Sequence, residues 1–296
     1  MSARNFSVRG VIPSLITPFN SDGEIAWESV EKEAALLDRA GVDGICIGGY
    51  LSETAGGTTE ELFRLCRAFR ASSQKPILAS MFPDSEPEAI ELLEAARGAG
   101  ADAVLVAQPH YLFQPDPAAL LSMFQRLSLR SKVPVLLANV LDSAQVSLKT
   151  ITRLIEEHVI DGIVQGARNA HLLVDLLRLR PRVPVFSSLE DLHYIGLMLG
   201  AEGLVSDLAA IFPADCVELY RNVTAGNHER ARRLHEKLLR VWRTLDHPVE
   251  QLVRVRLALM MQGRQAGPSR SPYALESPEA TSQIFGILQR EGFTTA

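Results

Sequence analysis

Lysine is scarce in this chain of 296 residues. The five lysines are Lys32, Lys75, Lys132, Lys149 and Lys237. There is none between Thr150 and Glu236. Chemistry that needs an unprotonated primary amine therefore has few candidates. Arginine cannot substitute for lysine in such chemistry, because its guanidinium has a pKa above ~12, stays protonated and is a poor nucleophile.

Long apolar stretches and paired cysteines are also missing. No stretch approaches the ~18 apolar residues of a membrane span, and Met1–Arg9 lacks the apolar segment of a secretion signal. Cys46, Cys66 and Cys216 share no metal or redox spacing, so we interpret them as reduced thiols in the core. These absences predict a cytoplasmic protein with no membrane partner.

The charge balance and the histidines exclude two further classes of partner. A net charge of −5 and a pI near 5.9 give no basic surface for phosphate backbones, so we predict no nucleic-acid partner. Among seven histidines only His110 follows a predicted strand, whereas a metal site needs several ligands at one place. The sequence predicts neither a bound metal nor a cofactor.

Apolar strand-like runs alternate with helical runs of three- to four-residue periodicity, which is typical of βα units around a parallel sheet. The predicted strands are Ile12–Pro18, Gly44–Gly49, Pro76–Met81, Ala103–Pro109, Pro134–Val140, Gly162–Ala167, Pro184–Leu189 and Gly203–Asp207. The predicted helices are Trp27–Ala40, Thr59–Ser72, Pro87–Ala99, Pro117–Leu129, Leu148–His158, Ala170–Arg180, Leu192–Leu199 and Pro213–Ala225. This pattern predicts an α/β fold, a (β/α)8 TIM barrel.

After Ala225 the pattern contains helices only. They are predicted at Asn227–Asp246, Pro248–Gln262 and Pro278–Glu291, with a Gly-, Pro- and Ser-rich loop at Gly263–Pro272. We therefore predict two parts, a barrel of residues 1–226 and a C-terminal three-helix extension of residues 227–296.

Functional residues of such barrels lie at the C-terminal ends of the strands, because the βα loops there are free to vary. This rule selects the candidates from the predicted strands. They are Thr17, Gly49–Glu53, Asp84, His110, Tyr111, Asn139–Ser143, Val164–Asn169, Glu190 and Asp207.

Three short segments carry a family resemblance. They are Ile16-Thr17-Pro18-Phe19, Gly49-Tyr50-Leu51-Ser52-Glu53, placed like Gly-Thr-Thr-Gly-Glu, and Pro109-His110-Tyr111, placed like Pro-Tyr-Tyr. With the three trailing helices, nearly the whole chain resembles the dihydrodipicolinate synthase / N-acetylneuraminate lyase family of class I aldolases. The resemblance implies a homo-oligomeric barrel, a dimer or tetramer, that holds pyruvate or another 2-oxo acid as a lysine Schiff base.

The departures from that family concern its catalytic residues. The strand-5 motif Tyr-Asn-x-Pro corresponds to Ala138-Asn139-Val140-Leu141, so its proton-relaying Tyr position is Ala138. The strand-6 motif Gly-(Ile/Val)-Lys-(Glu/Asp) corresponds to Gly162-Ile163-Val164-Gln165, which makes Val164 the Schiff-base position. An Arg often found after strand 5 falls on Ser143. No other lysine is predicted near the barrel mouth.

The resemblance and the candidates together predict a degenerate family member that has lost Schiff-base catalysis and acts as scaffold, regulator or binder of a small carboxylate or 2-oxo acid. The alternative is a lyase or hydratase with non-covalent chemistry in the same pocket, and a third reading is the unchanged aldolase reaction. Tyr111 is either a structural residue or a remnant of the proton relay, and Arg168 could pair bidentately with a carboxylate. The predicted ligand-binding residues are Tyr50, Leu51, Ser52, Glu53, His110, Tyr111, Asn139 and Arg168.

Overall fold

The structure is a computed structural model that describes residues 6–53, 57–109, 113–179, 181–273 and 276–293. The strands are β1 Gly10–Pro13, β2 Ile45–Ile47, β3 Ile77–Met81, β4 Ala103–Ala107, β5 Val135–Asn139, β6 Gly162–Gln165, β7 Val185–Ser187 and β8 Gly203–Ser206. They form one parallel sheet in the order β1-β8-β7-β6-β5-β4-β3-β2.

The sheet closes on itself through β1. Along one edge, β1 pairs with β8 from Gly10 to Pro13, and a Cβ on Gly203 would lie 2.0 Å from the Gly10 carbonyl oxygen. Glycine is therefore required at Gly203. Along the other edge, Ser14 and Cys46 form a parallel bridge, and the Leu15 N–H donates to the Cys46 carbonyl over 2.8 Å. The predicted TIM barrel is confirmed.

Helices follow the strands in alternation. The first nine are α1 Trp27–Ala40, α2 Thr59–Ser72, α3 Glu86–Gly98, α4 Pro117–Arg130, α5 Leu148–Glu156, α6 Ala170–Arg178, α7 His193–Met198, α8 Asp207–Ile211 and α9 Pro213–Thr224. The three C-terminal helices are α10 His228–Leu245, α11 Gln251–Met260 and α12 Pro278–Glu291. Within the described residues, no helix combines the length and apolar character needed to cross a bilayer.

Most predicted elements end within a few residues of the observed bounds, and two differences are larger. Strand 1 was predicted to run from Ile12 to Pro18, but β1 pairs over Gly10–Pro13, because the glycine at its start lies against Gly203 of β8. The short helix α8 was not predicted, and it begins at Asp207, where the eighth strand was expected to end. The Ser206 side chain caps this helix by accepting a hydrogen bond from the Ala209 N–H over 2.9 Å.

The sheet separates two apolar layers. The larger layer packs the helices against the outside of the barrel, and the smaller one fills the barrel interior. The inner layer includes Val164, Ala138, Phe186 and Cys46. All three cysteines are buried free thiols, and burial is the main cause that raises the pKa of each one.

Three arginines anchor the C-terminal segment to the barrel. Arg256 of α11 bonds to Glu53, which follows β2, with the Arg256 Nε to Glu53 Oε1 distance at 2.7 Å. Arg264 pairs with Glu33 of α1, and Arg270 donates to Glu61 of α2 over 2.5 Å. The extension is therefore docked on the barrel through charged groups, while its boundary at residue 226 stays a prediction.

The Arg256 contact leads to a stability prediction. Glu53 and Arg256 have side-chain exposures of only 1% and 2%. Replacing Arg256 with Met leaves the Glu53 carboxylate buried without its cation, which costs about 3–5 kcal/mol. We expect urea unfolding of Arg256→Met to show this loss.

The double variant Arg256→Met with Glu53→Gln is the matched control. It removes both charges, so it should recover part of the stability that the single substitution loses. A loss below about 1 kcal/mol for Arg256→Met is typical of an exposed ion pair, so it would contradict the description of Glu53 and Arg256 as a buried ion pair.

Candidate functional site

A cleft of about 340 Å³ opens at the C-terminal ends of the strands. Its barrel side is formed by the loops after β5, β6 and β7 and by the start of α8, and its other side is formed by α10 and α11. The lining residues are Tyr50, Val140, Leu141, Asp142, Ser143, Gly166, Arg168, Ser188, Leu189, Glu190, Asp191, Asp207, Trp242, Arg243, Asp246 and Gln251. The position agrees with the rule for such barrels.

The centre of the barrel is apolar at the two positions that the sequence analysis singled out. Val164 of β6 pairs in register with Ala138 of β5 and with Phe186 of β7. The relative exposures of Val164, Ala138 and Phe186 are 0%, 3% and 0%. Phe186 also makes an edge-to-face contact with Phe6, at 5.9 Å between ring centroids. No polar group is therefore offered to a ligand at these three side chains.

Two predicted ligand-binding residues line the cleft. Tyr50 lies on a short 3-10 turn after β2, and its side chain is exposed. Arg168 follows β6, but its guanidinium already contacts two carboxylates, with Nη2 2.8 Å from Asp246 Oδ1 and Nε 3.5 Å from Asp142 Oδ2. A carboxylate ligand at Arg168 would have to displace one of them.

Four other predicted ligand-binding residues lie in internal contacts and do not line the cleft. Leu51 belongs to the outer core, Ser52 donates to the Gly49 carbonyl over 2.5 Å, and Glu53 is held by Arg256. Asn139 donates to Gln165 Oε1 over 2.8 Å and accepts the Val146 N–H over 2.8 Å. These polar groups are used by the protein itself, so their role as ligand contacts stays a prediction.

The remaining candidates are spread around the mouth. Thr17 is fully buried, its carbonyl accepts from Arg256, and its hydroxyl oxygen has no partner within the described residues. Asn169 caps α6 by accepting the Leu172 N–H over 3.0 Å. The Asp84 N–H donates to Glu88 at the start of α3. The predictions for His110 and Tyr111 lie outside the described residues.

Glu190 is the centre of a buried polar cluster at the ends of β7 and β8. Its Oε2 accepts from the Ser206 hydroxyl over 2.6 Å and lies 2.6 Å from His193 Nε2, and its Oε1 accepts the Asp207 N–H over 2.8 Å. His193 Nε2 is also 2.9 Å from Ser206 Oγ. This cluster saturates Glu190 and fixes the start of α8 beside the cleft.

Asp207 is the most perturbed acid of the cleft. Burial is the first cause that raises the pKa of its carboxyl group from 3.8 to about 8, the negative charge of Glu190 is the second, and a hydrogen bond from Ser14 opposes both. Its Oδ1 atom is buried and has no hydrogen-bond partner among the described residues. An unsatisfied buried polar atom costs about 1–3 kcal/mol.

The cleft carries more acids than bases. Its acids are Asp142, Glu190, Asp191, Asp207 and Asp246, and its bases are Arg168 and Arg243. Arg243 Nη2 is 3.0 Å from Asp191 Oδ2, so both arginines already pair with carboxylates. Glu190 and Asp207 therefore face the cleft without an arginine partner.

The C-terminal helices supply lining residues that the sequence analysis missed. They are Trp242, Arg243 and Asp246, at the end of α10, and Gln251 of α11. The periodicity of α10 predicts a helix, but it does not say which part of the barrel that helix covers. In the described part of the chain, no three His, Cys, Asp or Glu side chains form a group that could hold a metal ion.

The fold and the position of the cleft define a (β/α)8 barrel protein with a site at the C-terminal ends of its strands. Comparison with known families then assigns it further. The model of the dihydrodipicolinate synthetase family matches residues 7–291, so the chain belongs to that family.

Individual relatives agree with this assignment. The 4-hydroxy-tetrahydrodipicolinate synthase of Methanothrix thermoacetophila is 30% identical over 286 residues, which cover 95% of this chain and 96% of that protein. A crystal structure of a dihydrodipicolinate synthase has a TM-score of 0.87 at 29% identity and covers 96% of this chain and 99% of its own. The synthase structure from Methylacidiphilum fumariolicum SolV has a TM-score of 0.89 at 27% identity, with coverage of 97% and 96%.

The raised pKa of Asp207 leads to a pH prediction. The folded state holds this proton more tightly than the unfolded chain does. The bound proton therefore contributes to the free energy of unfolding, and this contribution is complete below pH 3.8 and is lost as the pH rises to about 8. Asp207→Asn cannot ionise. We expect its free energy of unfolding, relative to wild type, to be higher at pH 9 than at pH 5 by about 1.4 kcal/mol or more.

Urea unfolding at both pH values measures this difference. Asp22→Asn is the control, because Asp22 is exposed in the loop before α1, and its stability difference from wild type should not change with pH. A difference for Asp207→Asn that is equal at the two pH values would show that Asp207 is ionised normally.

Proposed function

We propose that this chain is a dihydrodipicolinate synthetase family member that does not form a Schiff base and uses its cleft for non-covalent binding. The observation that carries the proposal is Val164, a fully buried aliphatic residue on β6 whose neighbours in the adjacent strands are Ala138 and Phe186. The resemblance assigns the family lysine to this position and the proton-relaying tyrosine to Ala138. A buried amine or hydroxyl there would need partners that this apolar layer lacks.

The positions of the five lysines support the same conclusion. Lys75 and Lys132 lie shortly before the starts of β3 and β5, at the opposite end of the barrel from the cleft. Lys32 of α1 donates to Gln265 over 2.9 Å, Lys149 lies at the start of α5, and Lys237 of α10 lies 3.7 Å from the Phe293 ring centroid. None of the five lines the cleft.

Within this proposal, the present role of the protein is that of a scaffold, a regulator or a binder of a small carboxylate or 2-oxo acid. The acidic lining of the cleft weighs against a carboxylate, because Arg168 and Arg243 are already paired. The relatives named as 4-hydroxy-tetrahydrodipicolinate synthases support a small-molecule site at this place, which favours binding over a purely structural role.

A lyase or hydratase with non-covalent chemistry is the second candidate function. The observation that favours it is Asp207, whose pKa of about 8 keeps its carboxyl group protonated and able to donate a proton near neutral pH. General acid chemistry needs a group that faces the substrate, and Asp207 lines the cleft. This candidate needs no lysine.

We also propose that the chain assembles with copies of itself, as a dimer or tetramer, in the cytoplasm. Exposed apolar side chains on α6 and α7, or directly after these helices, support the assembly. They are Val174, Leu179, Ile195, Met198 and Leu199. Such side chains on successive outer helices are typical of a protein contact.

Trapping with borohydride tests the loss of Schiff-base chemistry. The wild-type chain is incubated with pyruvate and reduced with sodium borohydride, and its intact mass is then measured by mass spectrometry. We expect no pyruvate adduct, because no lysine lines the cleft.

Val164→Lys is the matched gain-of-function control. An amine in this apolar layer has a lowered pKa and is therefore partly unprotonated near neutral pH. We expect the folded variant to be trapped by pyruvate at residue 164. A pyruvate adduct on a lysine of the wild-type chain would overturn the proposal.

Light scattering coupled to size-exclusion chromatography tests the assembly. Ile195→Glu together with Met198→Glu places two negative charges on α7, and we expect the molecular mass to fall towards the 32.4 kDa of one chain. Val249→Glu is the control, because Val249 is an exposed apolar residue outside α6 and α7. A wild-type chain that is already monomeric would contradict the expectation.

A further inference from the structure

The inner wall of the cleft leaves a hydrogen-bond acceptor unused. Asp207 lines the cleft, yet its Oδ1 is buried and has no partner among the described residues. The Glu190 carboxylate beside it is already used, because it accepts from Ser206 and from the Asp207 N–H. Buried polar atoms in folded proteins normally have a partner, so this oxygen points to a donor that is supplied by a ligand.

We propose that the cleft binds a small molecule with a primary amine, whose ammonium group donates a hydrogen bond to Asp207 Oδ1 and lies beside Glu190. The inference deepens the proposed non-covalent use of the cleft and rests on it. Neither acid is paired with Arg168 or Arg243, because both arginines contact other carboxylates.

Charge favours an amine over a carboxylate. An anion that entered the cleft would approach Glu190 and Asp207 and would have to compete with Asp246 and Asp191 for the two arginines. A cation meets Glu190 and Asp207, which have no arginine partner, and a charge-assisted hydrogen bond to a carboxylate is stronger than a neutral one. The described residues offer no metal-ligating group of three, so an organic cation fits better than a metal ion.

The apolar part of the lining fits the hydrocarbon part of such a ligand. It consists of Tyr50, Val140, Leu141, Leu189 and Trp242. Aromatic and aliphatic side chains around a few placed polar groups are typical of small-molecule sites. The site therefore selects an amine attached to an apolar body of modest size.

Binding of an ammonium group is coupled to the proton of Asp207. The titratable groups that act on this carboxyl or are acted on by it are Glu190, Cys46 and Tyr50, and Ser14 hydrogen-bonds to it. A cation favours the ionised form of Asp207 and lowers its pKa, so binding at pH 7 releases a proton. A neutral ligand of the same shape does not.

Isothermal titration calorimetry of the full chain at pH 7 tests the inference with benzylamine, benzyl alcohol and benzoate, which share one framework and differ in charge. We expect the Kd of benzylamine to be at least about tenfold lower than that of benzyl alcohol, and benzoate to bind most weakly. Titrations in two buffers with different ionisation enthalpies should show proton release for benzylamine alone.

Two variants separate Asp207 from the general acidity of the cleft. Asp207→Asn should raise the Kd of benzylamine by about tenfold or more, abolish proton release and leave benzyl alcohol nearly unchanged. Asp191→Asn removes a charge of the same cleft that is already paired with Arg243, and it should raise that Kd by less than about threefold.

Equal affinity for benzylamine and benzyl alcohol, preferential binding of benzoate, or an unchanged Kd in Asp207→Asn would each overturn the amine assignment. The wild-type comparison decides the question even where a variant fails to fold. The borohydride experiment tests the loss of Schiff-base chemistry, and the calorimetry tests the binding of an amine. The proposed function and the inference can therefore fail separately.

Discussion

Glu53 and Arg256 bury opposite charges against each other, and neither charge is tolerable in that place without its partner. Arg256 lies on α11 and bonds to Glu53, and it also donates to the Thr17 carbonyl over 3.0 Å and to the Ala266 carbonyl over 2.7 Å. A single guanidinium thus fixes the segments after β1 and β2 and the loop after α11. These contacts join the C-terminal segment to the barrel at its mouth.

The docking of that segment determines the charge of the cleft. The end of α10 lies at the mouth. There Asp246 forms an ion pair with Arg168, and Arg243 forms an ion pair with Asp191. These two pairs join the C-terminal helices to the loops after β6 and β7. They also use both arginines of the lining, so the acids that remain, Glu190 and Asp207, decide which ligands the cleft accepts.

The barrel was predictable from the sequence because each βα unit is specified locally, by an apolar run followed by a helical period. The positions of Val164 and Ala138 followed from the same register. The far side of the cleft was not predictable, since α10 has no sequence signal for the surface that it covers. The side chain of Arg168 could be placed at the mouth, but its pairing with Asp246 joins residues 78 positions apart and needs the folded chain.

The apolar interior and the perturbed acid have a common physical cause. Val164, Ala138 and Phe186 belong to the same inner layer as Cys46, and the charge of Asp207 contributes to raising the pKa of the Cys46 thiol. An interior of this kind makes a buried amine at residue 164 unfavourable, and it also withholds solvent from a carboxyl group at its rim. The strands β5 and β6 thus offer apolar side chains at Val164 and Ala138, whereas burial raises the pKa of the acid after β8, and the polar centre of the mouth lies beside β7, β8 and β1.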